Sequence, residues 1–485
     1  MTQPAKRTPA DPLPFAVVGD LIDHHRQARG PRLARLWRYY RNAERRLPDA
    51  GRTLPAQAEG LPRRLLKPTD GFTPPREIVI ENDIAWRIHT LVDFMFPAPV
   101  PIRSTADDPG RAELIQRFLR GVFECNGGID FFQNLALLGS IYGHIDVLLR
   151  PRPAFTATPG DTPVESLARR FRLEVVDPLR GLPRVNPHDY RRLDAYLIHN
   201  PAPTPPTGRG AWLRRLGQRL MGNSSGAGDR TEAWTRDSYL RFATHHGEHR
   251  LERRSVNRLG RIPVVHIQNL PQPFFYEGLS EVEPLIPLQD ELNTRLSDRA
   301  NRVTMQSFKM YLGKGIEGFL DRTVGPGQMW TTDNPDAEIV EFGGDAESPS
   351  EESHIREVRE ALDKASGVSP VATGLVSGKV GNLTSENAIR IVLMGLVAKT
   401  TKKRTSYGQG LARLCELILD AADTLGVLPN APEERGVRFD WPSPVPVDET
   451  QALRNAALKR EIGVPEPQVL AELGYGVDPP NPSTD

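Results

Sequence analysis

The sequence predicts a mainly helical α+β protein built from several modules. Three observations carry this. The chain has 485 residues, beyond the size at which one hydrophobic core stops growing. Apolar residues at spacings of three and four alternate with short β-like runs. From Gly278 to Asn387 the elements follow one another as helix, strands, helix and glycine-rich loop.

Phe15 to Leu47 carries Val18, Leu21, Ile22, Leu33, Leu36, Trp37 and Tyr40 among many arginines, which reads as peripheral helices on a basic surface. Glycine and proline from Gly51 to Pro75 mark a loop. Helical patterns at Glu81 to Phe96 and Gly110 to Cys125 lead to a helix at Phe131 to Gly143. Strands follow at Ile145 to Arg150, Leu173 to Val176 and Asp194 to Ile198, and Pro201 to Asp229 reads as a surface insertion with a small basic helix at Trp212 to Met221.

Ser280 and Glu283 form a capping-box pattern ahead of Leu285, Leu288, Leu292, Leu296 and Val303, so a helix is expected to near Ser307. Lys309 to Gly313, Gln328 to Thr331 and Glu338 to Phe342 then read as short strands. The next helix, Glu351 to Lys364, has only Ile355, Val358, Ala361, Leu362 and Ala365 to pack and needs a neighbour. Beyond the Gly374 to Asn382 loop, Thr384 to Leu425 lacks proline and can form one helix or two nearly collinear ones, roughly 60 Å long if continuous. Asp448 and Gln451 have the look of a further capping box before two short helices around Ala452 to Glu461 and Pro465 to Leu473.

Basic and acidic residues number 62 and 61, a net charge of +1. This balance argues against a tight grip on nucleic acid, which takes many unopposed cations, and permits a surface along which DNA slides. Cys125 and Cys415 lie too far apart to imply a disulfide framework, which fits a reducing cytoplasm, and each reads as a buried free thiol. The N-terminus is polar and proline-rich rather than signal-like, and no apolar run approaches the ~20 residues of a membrane span, so a soluble protein is expected.

Several motifs imitate chemistry. His245, His246 and His249 crowd together, but with Gly247 at the bend between alternating strands they read as a hairpin tip rather than a metal site. Gly374 to Val380 falls one residue short of a Walker loop and has valine after its lysine. Gly278-Leu279-Ser280 lacks the second glycine of a nucleophile elbow. No catalytic residue, cofactor or metal is expected. Arg295, Arg299 and Arg302 share one helix face, which either is solvated and salt-bridged or meets DNA. Lys379, with Ser377 and Gly378 on a loose backbone, suits transient phosphate contact. Lys399, Lys402, Lys403 and Arg404 read as a solvated face, with a subunit boundary or DNA as the alternatives. Trp330 offers an anchor among exposed strands.

In order along the chain, Asn82-Asp83-Ile84-Ala85 running into Phe94 to Val100, Asn134 to Gly143 with Ile145-Asp146-Val147-Leu148, Asn257 to Val265, Asn269, and Gly278-Leu279-Ser280-Glu281 resemble the portal proteins of tailed bacteriophages. The resemblance implies a portal fold: wing at 1–278 with a flexible insertion at 201–229, first stem helix at 279–307, clip at 308–349, second stem helix at 350–370, tunnel loop at 371–383, long wing helix and following segment at 384–440, and crown at 441–485. It implies a homo-oligomeric ring, usually a dodecamer, at one vertex of the virion capsid, assembled in the host cytoplasm with no membrane role. Double-stranded DNA would pass through it, the terminase large subunit and then a head-tail connector would dock at the clip through Trp330, and scaffold and major capsid proteins would surround it. Lys379, Ser377 and Gly378 would face the DNA; Arg295, Arg299 and Arg302 would line the tunnel or a subunit boundary. The rivals are another virion structural protein, capsid or minor head, and a packaging enzyme, which would need a carboxylate metal cluster or a complete Walker loop.

Overall fold

The computed structural model describes residues 13–67, 76–152, 163–201, 229–245, 248–307, 310–314, 334–342, 348–373, 391–443, 449–466, 469–470 and 473. It is an α+β chain that divides into two compact units. The first comprises Met1–Arg35, Arg87–Glu281 and Gly367–Asp485, and the second Leu36–Trp86 and Val282–Ser366.

The first unit is organised by a three-stranded antiparallel sheet with His144–Pro151 between Val264–Gln268 and Phe171–Val176. His144 to Leu149 are all buried, as expected of a strand flanked on both edges. The Pro109–Cys125, Ile129–Tyr142 and Met394–Thr424 helices share a core with it. Phe96, Phe118, Phe123, Phe131, Phe132 and Tyr407 dominate that core, with ring pairs such as Phe123 and Phe132 at 5.0 Å. The Met394–Thr424 helix, of 31 residues, is about 46 Å long and buries Leu411, Leu414, Cys415, Ile418 and Ala422. Its approach to the Ile129–Tyr142 helix requires Gly139, where a Cβ would lie 1.9 Å from the Tyr407 hydroxyl. Cys415 is buried as expected; Cys125, at the end of its helix, is exposed instead.

A second sheet in the same unit has five antiparallel strands in the order Glu248–Val256, Ser238–His245, Asp229–Trp234, Asp189–Asn200 and Gly181–Asn186. The N-terminal Phe15–His24 helix lays Val18 and Ile22 on Leu182, Leu197, Leu240 and Phe242. Its continuation, His25–Arg29, is a single π-helical turn. The predicted hairpin at Gly247 is present in the strand pairing, with His245 opposite Glu248, whereas the residues of the predicted insertion from 202 to 228 lie outside the described ones.

In the second unit the Ile286–Ser307 and Pro349–Ser366 helices pack together, and the second buries only Ile355, Val358, Leu362 and Ser366. Between them in sequence, Met310–Lys314 pairs antiparallel with Glu338–Phe342, with Met310 opposite Phe342. The expected strand at Gln328 to Thr331 lies outside the described residues. The Ile286–Ser307 helix is preceded by a 3-10 turn at Glu283–Leu285. In the first unit the buried Ser280 hydroxyl donates to the Ile141 carbonyl at 2.6 Å.

Candidate functional site

The predicted arginine face lies on the Ile286–Ser307 helix, and most of its charge is already neutralised within the chain. Arg295 pairs with Glu291 at 2.7 Å and with Asp298 at 3.5 Å, and Arg302 pairs with Glu351 on the neighbouring helix. Arg64 reaches the same Asp298, and His354 Nε2 lies 3.0 Å from Glu291. The Arg295 hydrogen bond holds the Glu291 carboxyl below its ordinary range against the opposing effect of burial. Arg299 is exposed and has no carboxylate partner among the described residues. One cation of the three is therefore available to a ligand.

Another stripe of the same helix holds a feature that the periodicity reading missed. Gln289, Asn293 and Ser297 are fully buried, and with Asn301 they recur every four residues. They hydrogen-bond the backbone of the segment from Glu77 to Ile84, whose last two residues open the Asp83–Met95 helix. Asn301 bonds both the N–H and the carbonyl of Glu77 (2.9 and 2.8 Å), Ser297 those of Val79 (3.0 and 3.2 Å), and Asn293 Oδ1 accepts from the Glu81 N–H at 3.1 Å. Gln289 completes the series, donating to the Glu81 carbonyl at 2.6 Å and accepting from the Ile84 N–H at 3.3 Å. The match is geometric: four helix residues rise about 6 Å, and two strand residues, which bring the same backbone edge round again, rise about 6.6 Å. Gln57 ties the ladder inward through Asn293, Asn82 and the Tyr39 carbonyl. A polar letter every fourth residue was the available signal.

Lys379, Ser377 and Gly378 lie among residues 374–390, and Trp330 among 315–333, all outside the described residues. The described flanks of the loop are firmly held. Arg87 donates to the Val368 carbonyl at 2.5 Å, and Pro370–Thr373 forms a 3-10 turn. Beyond the loop, the expected solvated cluster on the long helix is corrected. Lys403 is fully buried, with Nζ 2.7 Å from Ser140 Oγ and 3.6 Å from Glu281, and burial lowers it to about 8 against the opposing pull of Glu281. Lys399 pairs with the buried Glu281 at 2.7 Å. Arg404 donates to the carbonyls of Phe94, Met95 and Pro442 and lies over Trp441. Of these four cations only Lys402 is exposed. The reason is the long aliphatic stem of lysine and arginine, which lets a cationic position join a core when an acid or carbonyls await its tip.

Of the motifs that carried the resemblance, Asn134 to Gly143, Ile145 to Leu148, Asn269 and Gly278 to Glu281 belong to the first unit. Gly143, at φ +86, and Gly278 meet backbone to backbone, since a Cβ on either would lie 2.4 or 2.6 Å from the other's carbonyl oxygen. Asn269 donates to the Leu279 carbonyl, and its N–H bonds Gly143. Beside this junction the Asp146 carboxylate, 1 % exposed, accepts from the hydroxyls of Tyr196 (2.7 Å) and Tyr276 (2.8 Å) and from His266 Nδ1 (2.7 Å). His266 Nε2 faces the Tyr276 carbonyl at 2.7 Å. Burial would raise the Asp146 carboxyl, but His266, His144 and the Tyr196 hydrogen bond together outweigh it and hold the group below the usual carboxylate range. The π turn brings Arg29 to this node, where it bonds Glu277, the Gly181 carbonyl and His144 Nε2. Burial and Arg29 lower His144 to about 4. The Asp146 carboxylate is engaged by three donors, while His144 Nδ1 is buried without a hydrogen-bond partner among the described residues. Among the described residues no cluster of acids, histidines and cysteines could hold a metal, and no helix is long and apolar enough to cross a membrane.

Comparison with known proteins follows this geometry. The sequence matches the model of the phage portal protein family, SPP1 Gp6-like, over residues 20–478. No curated protein matches it. Among solved structures it is similar to a chain from the virion of a native gene transfer agent (GTA) particle, with 14% identity and a TM-score of 0.40. It is also similar to a chain from the neck of an empty GTA particle computed with C6 symmetry, with 14% identity and a TM-score of 0.44. Each likeness covers 81% of this chain and 90% of the other.

Proposed function

The chain belongs to the phage portal protein family, and from that premise we propose that it assembles as a closed ring at a capsid vertex through which double-stranded DNA is packaged and ejected. The family match across residues 20–478 carries this reading. The second unit supports it: a helix that buries only Ile355, Val358, Leu362 and Ser366 gains most from neighbouring copies. Its work is mechanical. In this reading the Ile286–Ser307 and Pro349–Ser366 helices are the stem, the strands between them belong to a clip that docks terminase and then the connector, and Trp330 is the clip's anchor. The loop from Val371 meets DNA weakly through Lys379, and Arg299 is the stem cation left to face it.

Lys379→Glu tests DNA passage. Rings seen by negative stain should persist, since a surface charge contributes little to stability, while packaging or DNA retention falls. Unchanged packaging by this variant would overturn the role of the loop. A strictly monomeric protein in light scattering at several salt concentrations would overturn the ring itself.

A further inference from the structure

A cleft of about 1050 Å³ opens in the first unit along the edge strand Val264–Gln268. Arg191, Arg192, Arg236, Arg261 and Arg413 line it, and its lining contains no aspartate, glutamate or lysine. Nearby carboxylates do not neutralise it. Of the lining arginines Glu416 and Asp420 reach Arg261 alone, and Asp420 is also held by Arg435; Asp146 is sealed behind His266 and the tyrosines, and Glu277 is held by Arg29 and Arg32. The other four arginines have no carboxylate partner among the described residues.

An aromatic lip adjoins these cations. Phe274 and Phe275 are 81% and 59% exposed, and the Phe274 ring lies 6.3 Å from Tyr190. Phe274 also has φ +70, a strained conformation for a bulky residue, in a loop stiffened by Pro271 and Pro273. Fixed, exposed aromatics beside arginines are the composition of protein-binding hot spots. The free edge of the strand does not offer itself for strand addition: Ser406 caps the Gln268 carbonyl at 2.6 Å and Arg413 the His266 carbonyl at 3.3 Å.

We propose that this cleft is a docking site for an acidic, extended segment of a partner protein that carries an apolar side chain, its carboxylates taken by Arg191, Arg192 and Arg236 and its apolar residue by Phe274 and Phe275. Arginine forks match carboxylates in pairs, and the cavity has the size of a peptide or ligand pocket rather than of a surface that follows a duplex. The site shares no residue with the proposed DNA contacts, so it stands or falls independently of DNA passage.

The test uses the intact purified protein and a fluorescein-labelled synthetic peptide that alternates glutamate and alanine around one phenylalanine, followed by anisotropy. The peptide should bind, and binding should weaken with salt. Arg192→Ser and Phe274→Ser, both at exposed side chains, should each weaken it by about tenfold. The glutamine version of the peptide should not bind. Absence of binding to the native protein, or binding by either variant as tight as by the native protein, overturns the proposal. Tighter binding of a short oligothymidylate would assign the cleft to single-stranded nucleic acid, and loss of ring assembly in the variants would assign it to a second copy; either result also overturns it.

Discussion

In the first unit the interior is lined by Phe96, Phe118, Phe132, Leu135, Tyr407 and Leu414, and buried polar groups gather into local clusters such as the one around Asp146. In the second unit the buried stripe of the Ile286–Ser307 helix reads Gln289, Leu292, Asn293, Leu296 and Ser297. Apolar burial grows with the size of a core, and two thin helices cannot build a large one. Hydrogen bonds contribute only about 0.5–1.5 kcal/mol each, yet they are directional. The second unit can therefore fix its geometry with little thickness, leaving Arg299 for a partner.

Removing the acceptor at the centre of the node should have the largest effect. Asp146→Ala would leave the buried Tyr196 and the half-buried His266 and Tyr276 without their shared partner, at a cost of about 3–5 kcal/mol. Urea denaturation should show this loss; a variant as stable as the native chain would break the contrast between the units. In the ladder, Asn293→Ala should cost about 1–3 kcal/mol and speed amide exchange at Glu81 more than in the first unit. Equal acceleration in both units would show that they unfold as one.

Acid should also separate the two regions. His144 is lowered to about 4 from its ordinary 6.5, so between these values the unfolded chain takes up a proton that the folded chain refuses. Stability falls as pH drops through that window. Asp146, held low, keeps its contribution above the ordinary carboxylate range and loses it as pH falls further. His144→Gln, which retains an acceptor for Arg29, should flatten the upper part of this dependence in denaturation curves; an unchanged slope would remove His144 as its source. The smallest effect on stability belongs to Arg299→Glu, within about 0.5 kcal/mol. Its expected readout is reduced DNA retention by intact rings.

Much of this contrast could be read in advance, though unevenly. The helix, strand pair and helix of the second unit, the long helix and the hairpin at Gly247 followed from periodicity and turn residues, because those signals are local. The ladder did not, because Gln289, Asn293, Ser297 and Asn301 acquire meaning only when Glu77 to Ile84 lies beside them. Lys403 shows the same limit, since a cation in a run of cations reads as solvated until Glu281 and Ser140 are placed around it. The Asp146 node left one trace, a lone acid in the otherwise apolar Ile145 to Leu149.

The ladder divides the burden of specification unequally between its two sides. Glu77, Val79 and Glu81 are gripped through their peptide groups, so their side chains can be exchanged widely, with proline as the forbidden substitute. The helix positions have the reverse constraint: each needs an amide or hydroxyl of fitting reach, whatever stands opposite. In a library that randomises both sides, functional clones should therefore vary freely along the strand-like segment and stay nearly fixed at every fourth residue of the helix.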